Sequence, residues 1–420
     1  MDIDYLDHFN GINPFVALLL EVITITLILG FVKPSSIIRL AVLPILVGCI
    51  YSILTNAKDY MRLPWAGIFS AQATSLILVY IEIGLLGKWS FEAGGPSSRL
   101  PCLNKGTTNG ARKEGTSWER LCFGFNSTIS NRDVDKPFEV KNTPYFSAKD
   151  HDYVPSRANF LVWTVVRFVA CYLVLDLVES QPAAPNAGEM FASSSIPIFR
   201  RLGEISIEEV FIRIIVCFVF WVMVYSILTC MYSFIAFFAV GSGFSRVAEW
   251  RPIFGPLSEA YTIRGFWGKF WHQLTRKMNT GPANFIADDI LHLPKGSLIA
   301  RYTKIFLVFF ISGLMHSIYE LGGQMSTNPY GPWIFFCTQV IGVLLEDGVQ
   351  AMYRSLTGTV RSNHPPALWI RIIGYVWVVA FLLFWSTPVW AFPAAEFSKP
   401  EGQPFKLTPI SVVYRLKGAI

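Results

Sequence analysis

Long blocks with almost no charge decide what this chain can fold into. The clearest, IIVCFVFWVMVYSILTCMYSFIAFFAV, holds no Lys, Arg, Asp or Glu. A hydrocarbon core about 30 Å thick is crossed by roughly 20 helical residues, and the blocks have that length. Eight read as spans, at about 14–32, 37–54, 65–87, 158–178, 209–240, 298–321, 330–353 and 367–391. The chain therefore reads as all-α, a polytopic membrane helical bundle of about eight transmembrane helices. It reads as one membrane-embedded domain over 1–420. The composition agrees, with 52% hydrophobic and only 15% charged residues, where a soluble protein carries about 25% charged. The run from Glu209 to Val240 is too long for one upright helix. It tilts, projects past the bilayer, or breaks into two crossings.

Lys and Arg in the flanking loops set orientation. The opening MDIDYLDHFNGIN has no basic residue, unlike a secretory signal, so the first span reads as retained. The loop 88–157 carries 11 Lys and Arg and 241–297 carries seven, whereas 322–329 has no charge. This alternation places both termini on the luminal side and the loops 33–36, 88–157, 241–297 and 354–366 in the cytosol. Lys58, Arg62, Arg200 and Arg201 run against it. The net charge of +6 thus reads as membrane orientation, and no basic run is dense enough for nucleic acid. Loop 88–157 is rich in Gly, Ser, Asn and Lys to about residue 115 and reads as flexible there.

Several chemistries lack their residues. The seven Cys are scattered with no Cys-x-x-Cys, so neither a disulfide framework nor a zinc site is indicated. There is no His-Glu-x-x-His, no Gly-x-Ser-x-Gly and no P-loop. The pair Asp288-Asp289 stands without a matching second acidic motif. Asn126-Ser-Thr is a glycosylation sequon that stays unused if its loop is cytosolic.

The stretch RGFWGKFWHQLTRK sets Phe266, Trp267, Phe270 and Trp271 at i, i+1, i+4 and i+5, one face of a helix. Arg264, Lys269, Arg276 and Lys277 surround them. An interfacial amphipathic helix, rings down and cations toward headgroups, explains this spacing by itself. His272 beside that face is compatible with plain solvation or with a site. His316 is different, because it interrupts the apolar run of the sixth span, about 21 Å along the helix from Tyr302. Ionisable groups at membrane depth suggest function, although a hydrogen bond to a neighbouring helix would also account for one. Ser312 and Gly313, one turn earlier, permit close approach. Glu21, Glu82, Arg167, Arg213, Lys304, Glu320, Glu346 and Asp347 are the other intramembrane ionisables. Several lie near span ends, where they can snorkel to water. Glu82, Arg167 and Glu346 lie deeper and read as interhelical pairs.

Taken together, RDVDKPFEVKNTP (132–144), RGFWGKFWHQ and LPKGSLIARYTKIFLVFFISGLMHSIYE (293–320) resemble a fungal member of the wax-synthase-like branch of the membrane-bound O-acyltransferases. The resemblance extends over most of 118–350. It implies a helical bundle around a reaction chamber, with His316 as catalytic base and His272 as second polar residue of the site. The segment 298–353 is then the histidine helix with the span that follows it. The resemblance also implies an acyl-CoA co-substrate and an apolar alcohol acceptor, with no bound cofactor and no metal. Arg264, Trp267, Lys269, Trp271, Arg276 and Lys277 would form the mouth for coenzyme A. Fungal members of this branch acetylate terpenoid and meroterpenoid hydroxyls, which makes acetyl-CoA the expected donor and the endoplasmic reticulum membrane the expected location. Long-chain wax or lipid ester synthesis is the alternative. A transporter or non-catalytic membrane protein would explain the spans but not the ordered pair of histidine segments.

Overall fold

The structure is a computed structural model that describes residues 12–97, 115–181, 186–358, 366–397 and 407–412. Cys102, Arg361 and most of the stretch read as flexible lie outside them. Among the described residues, eight helices are long and apolar enough to cross a membrane and no strand occurs. The molecule is an integral membrane protein. Its chain forms two compact units, one of residues 1–131 and 275–324, the other of 132–274 and 325–420.

The first unit holds α1 (Pro14–Phe31), α2 (Ile38–Tyr60), α3 (Leu63–Leu86) and α4 (Ser117–Ile129). Local chemistry starts these helices. Asn13 caps α1 by accepting the Phe15 N–H at 2.9 Å, with Pro14 as first residue. Thr116 and Glu119 close a reciprocal capping box on α4. Small residues then bring helices together. A Cβ on Gly30 would stand 2.5 Å from the Arg120 carbonyl, and one on Gly124 2.1 Å from the Thr26 carbonyl. Both neighbours are backbone, so α1 and α4 cross at a distance only glycine permits. Arg39, 2% exposed, donates to the carbonyls of Val32, Gly84 and Trp89 at 2.7–2.8 Å. Gly84 lies in the π-helical last turn of α3, Ile81–Leu86, so one guanidinium fixes a turn that carries an extra residue. Glu21 does not snorkel. It is fully buried in α1, and neither carboxylate oxygen has a hydrogen-bond partner among the described residues.

The second unit begins with α5 (Arg157–Glu179) and α6 (Ile207–Gly241), which pack against each other. α6 is one unbroken helix of 35 residues, so the long apolar run makes a single crossing. Arg213, fully buried, ties α6 to its surroundings. It pairs with Glu209 at 3.3 Å and donates to the carbonyls of Ser195, Ile196 and Phe384. The turns it secures form an apolar recess of about 280 Å³ with Ile198, Phe199, Trp385 and Val389 in its wall. Arg167 departs from the sequence reading. It is exposed on α5 and makes no ion pair among the described residues.

The chain returns to the first unit with α7 (Arg276–Phe285) and α8 (Leu298–Gly323), which pack on each other, and α8 also packs on α3. Ser297 caps α8, and Gln324 ends it in the left-handed conformation. Lys304 of α8 holds Asp288 at 2.7 Å, which gives the first of the two adjacent aspartates an ion-pair role. The second unit is completed by α9 (Gly331–Thr357), α10 (Leu368–Ser386) and α11 (Pro388–Phe397).

Candidate functional site

In the second unit, RGFWGKFWHQ does not form one flat amphipathic helix. A short turn, Ile263–Gly265, passes into a π-helical turn, Phe266–Phe270. The chain then leaves the helix at Trp271 in an extended conformation, φ −68°, ψ 151°. The rings point inward rather than toward headgroups. Phe266 and Trp271 are each 7% exposed and stack on each other at 5.5 Å and 14°. Trp221 of α6 meets Trp271 edge-on at 4.7 Å and donates its indole N–H to Thr387. Edge-to-face pairs of this kind align the positive ring edge with the negative face of the neighbour. The aromatic spacing therefore encodes a ring cluster inside the protein.

His272 is half-buried beside Trp271 and Phe254. The next residue, Gln273, is 3% exposed and donates to the carbonyls of Trp267 and Trp271 at 3.0 and 2.6 Å. The turn carrying His272 is thereby closed on itself. Trp267 donates its indole N–H to Gln339 at 3.1 Å. The cations in this unit have protein partners, Arg264 with Asp347 at 2.6 Å and Lys269 with Glu259 at 2.7 Å.

The remaining expected residues, Arg276, Lys277 and His316, belong to the first unit. Burial pushes the Arg276 guanidinium below its ordinary range. Lys277 donates to the Ser130 carbonyl at 2.9 Å and lies over the Trp89 ring. His316, on α8, sits with Nδ1 2.7 Å from the Ser312 carbonyl oxygen. A carbonyl can only accept, so Nδ1 carries the hydrogen. The partner of one ring nitrogen sets the role of the other, which leaves Nε2 as the lone-pair nitrogen. Met315 and Ser317 on either side are buried, and Ser75 of α3 donates to Met315 Sδ at 3.2 Å.

Two features escaped the sequence reading. Asn279 of α7 is 2% exposed, and its Oδ1 has no hydrogen-bond partner among the described residues. A buried amide oxygen left in this state is costly and suits a ligand donor. In the sequence, an isolated Asn within 241–297 gave no pattern to read. Glu346 is not one half of an interhelical ion pair. Its carboxylate accepts the backbone N–H groups of Ile263 and Arg264 and the Trp377 indole N–H.

A model of the membrane bound O-acyl transferase family matches residues 250–338, the part that carries His272 and His316. An acetyltransferase of Calcarisporium arbuscula, aurG, is 34% identical over 400 residues, covering 92% of this chain and 94% of its own. The chain belongs to the membrane bound O-acyl transferase family and is a membrane-bound O-acyltransferase. Acetyltransferase fsoF of Humicola fuscoatra is 30% identical over 345 residues, 78% of this chain and 82% of that one. Acetyltransferase ataH of Aspergillus terreus is 34% identical over 295 residues, 68% and 94% of the two chains. No solved structure matches. Membership in an enzyme family sets the transporter reading aside.

Proposed function

We propose that the protein moves an acetyl group from acetyl-CoA to a hydroxyl of an apolar terpenoid or meroterpenoid, with His316 as general base. The observation that carries this reading is the Nδ1–H bond to Ser312, which leaves Nε2 as a proton acceptor on a helix that runs through the apolar stretch of the sixth span. A neutral imidazole accepts a proton at this nitrogen and suits the task. The acceptor O–H gives its proton to Nε2 as its oxygen attacks the thioester carbonyl. The tetrahedral intermediate collapses, the C–S bond breaks, and the coenzyme A thiolate takes the proton back from the imidazolium. An ester and free coenzyme A result, and no covalent enzyme intermediate is needed. His272 orients the acceptor hydroxyl or stabilises the oxyanion. Asn279 offers an acceptor for a substrate N–H or O–H in the same unit as His316.

The preference for acetyl rests on relatives that are acetyltransferases by name. In this reading the enzyme lies in the endoplasmic reticulum membrane with loop 241–297 in the cytosol, where acetyl-CoA is dissolved. Arg264, Lys269, Arg276 and Lys277 attract the phosphates of the donor, and Trp267 and Trp271 act as scaffold for the turn they flank. The test supplies microsomes containing the protein with equal acetyl-CoA and palmitoyl-CoA and one polycyclic terpenoid alcohol. Each added methylene is worth about 0.8 kcal/mol if buried, so a chamber that accommodated the long chain would favour it strongly. Acetyl ester is expected to dominate. Dominant palmitoyl ester would replace this reading with wax or lipid ester synthesis.

A further inference from the structure

The turn that carries His272 is too short to hold its own shape. Ile263–Gly265 and Phe266–Phe270 together make little more than two turns, and isolated helices below about 12 residues are marginal in water. Its register must come from outside. The structure supplies it from one face of α9, through two buried polar side chains seven residues apart and so about two turns along the helix.

Gln339 is fully buried. Its Nε2 donates to the Phe335 carbonyl at 3.0 Å, which settles the amide orientation and turns Oε1 to the Trp267 indole N–H at 3.1 Å. Two turns on, Glu346 is 7% exposed. It accepts the N–H groups of Ile263 and Arg264, two of the four that any helix start leaves without an internal partner. Side-chain oxygens in that place do the work of an N-terminal cap. Asp347 holds the Arg264 side chain at 2.6 Å, so α9 grips this residue by backbone and side chain together. At the far end Gln273 closes the turn on Trp267 and Trp271. His272 hangs between these fixed points.

We propose that Glu346 and Gln339 are positioning residues that set the place of His272 for acyl transfer. The proposal rests on the reading of His272 as a site residue. Glu346→Gln keeps the volume but turns an amide N–H toward groups that are themselves donors. We expect kcat to fall about 10- to 100-fold, the scale of a misplacement near 1 Å, with KM for acetyl-CoA within about twofold. Glu346→Asp should restore part of the loss.

The deciding measurement is a double-mutant cycle. If Glu346 acts through His272, Glu346→Gln in a His272→Ala background costs less than about twofold further. An equal loss in both backgrounds overturns the proposal, because the role would then be general to the fold. Hydrogen exchange of the full-length protein in detergent decides the matter without turnover. Peptides covering 263–273 should exchange faster in Glu346→Gln while those of α5 and α6 stay as they are. Unchanged exchange at 263–273, or a rise throughout the second unit, also overturns it. Failure of the wild type to form any ester would instead sink the functional reading, and the exchange result would still stand.

Discussion

Gly255 offers a sharp test of whether the His272 turn must be placed to within an ångström. Its N–H donates to the Phe270 carbonyl at 2.8 Å. A Cβ at this position would stand 2.1 Å from the Lys269 carbonyl oxygen and 3.1 Å from its carbon. Ordinary contact for such a Cβ begins near 3.4 Å, so Gly255→Ala lacks about 1.3 Å of space. The obstructing atoms are backbone and cannot rotate away, so the Lys269–Phe270 end of the turn must shift, with Trp271 and His272 directly after it. Overpacking of this kind costs about 1–3 kcal/mol of stability, too little to unfold a protein of this size. A displacement near 1 Å at reacting groups costs about 100-fold in rate. We expect Gly255→Ala to reach the membrane at normal levels and to lose 10- to 100-fold in kcat for ester formation, measured with labelled acetyl-CoA in microsomes. Gly268→Ala is the control, because a Cβ on Gly268 meets nothing within 4 Å, and it should retain activity. Gly255→Ala turnover within twofold of wild type would refute the reasoning.

His316→Ala should lower acyl transfer by about 10²–10⁴-fold with the protein still folded, and His316→Gln, which can still donate to Ser312, should do no better. Near-normal turnover in either would remove His316 from the mechanism. Gly124→Ala should force α4 away from α1 and lower the midpoint of thermal aggregation in detergent; an unchanged midpoint would contradict the backbone contact with Thr26. Arg213→Met strands the carbonyls of Ser195, Ile196 and Phe384 and should cost about 3–5 kcal/mol, read as a fall in the same midpoint, with little recovery in Arg213→Lys because a lysine cannot span several acceptors. A Lys277→Cys variant in sealed vesicles should react with an impermeant maleimide from the cytosolic side, and labelling only from the lumen would reverse the orientation.

The spans were legible because the bilayer dictates them. A backbone crossing hydrocarbon must satisfy its own hydrogen bonds, so length and lack of charge leave only helix. The run 298–321 and the helix Leu298–Gly323 differ by two residues at one end. The internal geometry was not legible in the same way. Aromatics at i, i+1, i+4 and i+5 suit a flat interfacial helix and a buried ring cluster equally, and only the Trp221 partner from α6 decides between them. Nor does sequence announce the extra residue per turn at Ile81–Leu86, Phe266–Phe270, Ile286–Ile290 and Ala380–Ser386. Glu346 read as an ion-pair member because two of its three partners are backbone N–H groups, which no residue type reveals. His316 stood out for the opposite reason, since its cost at membrane depth is written in the sequence itself.

The unbroken α6 bears on where this enzyme can work. Its 35 residues extend about 52 Å, while a hydrocarbon core of about 30 Å crossed at a tilt of 40° takes up about 39 Å. At least about 13 Å therefore stands beyond the apolar layer at any ordinary tilt. The end bearing Glu208, Glu209 and Arg213 suits that position. A helix with such an overhang meets a thinner or thicker membrane by leaning more or less, and its polar end need not be drawn into hydrocarbon. Bilayers of about 27 and 33 Å are then equally acceptable hosts, and α6 does not sort the enzyme by membrane thickness.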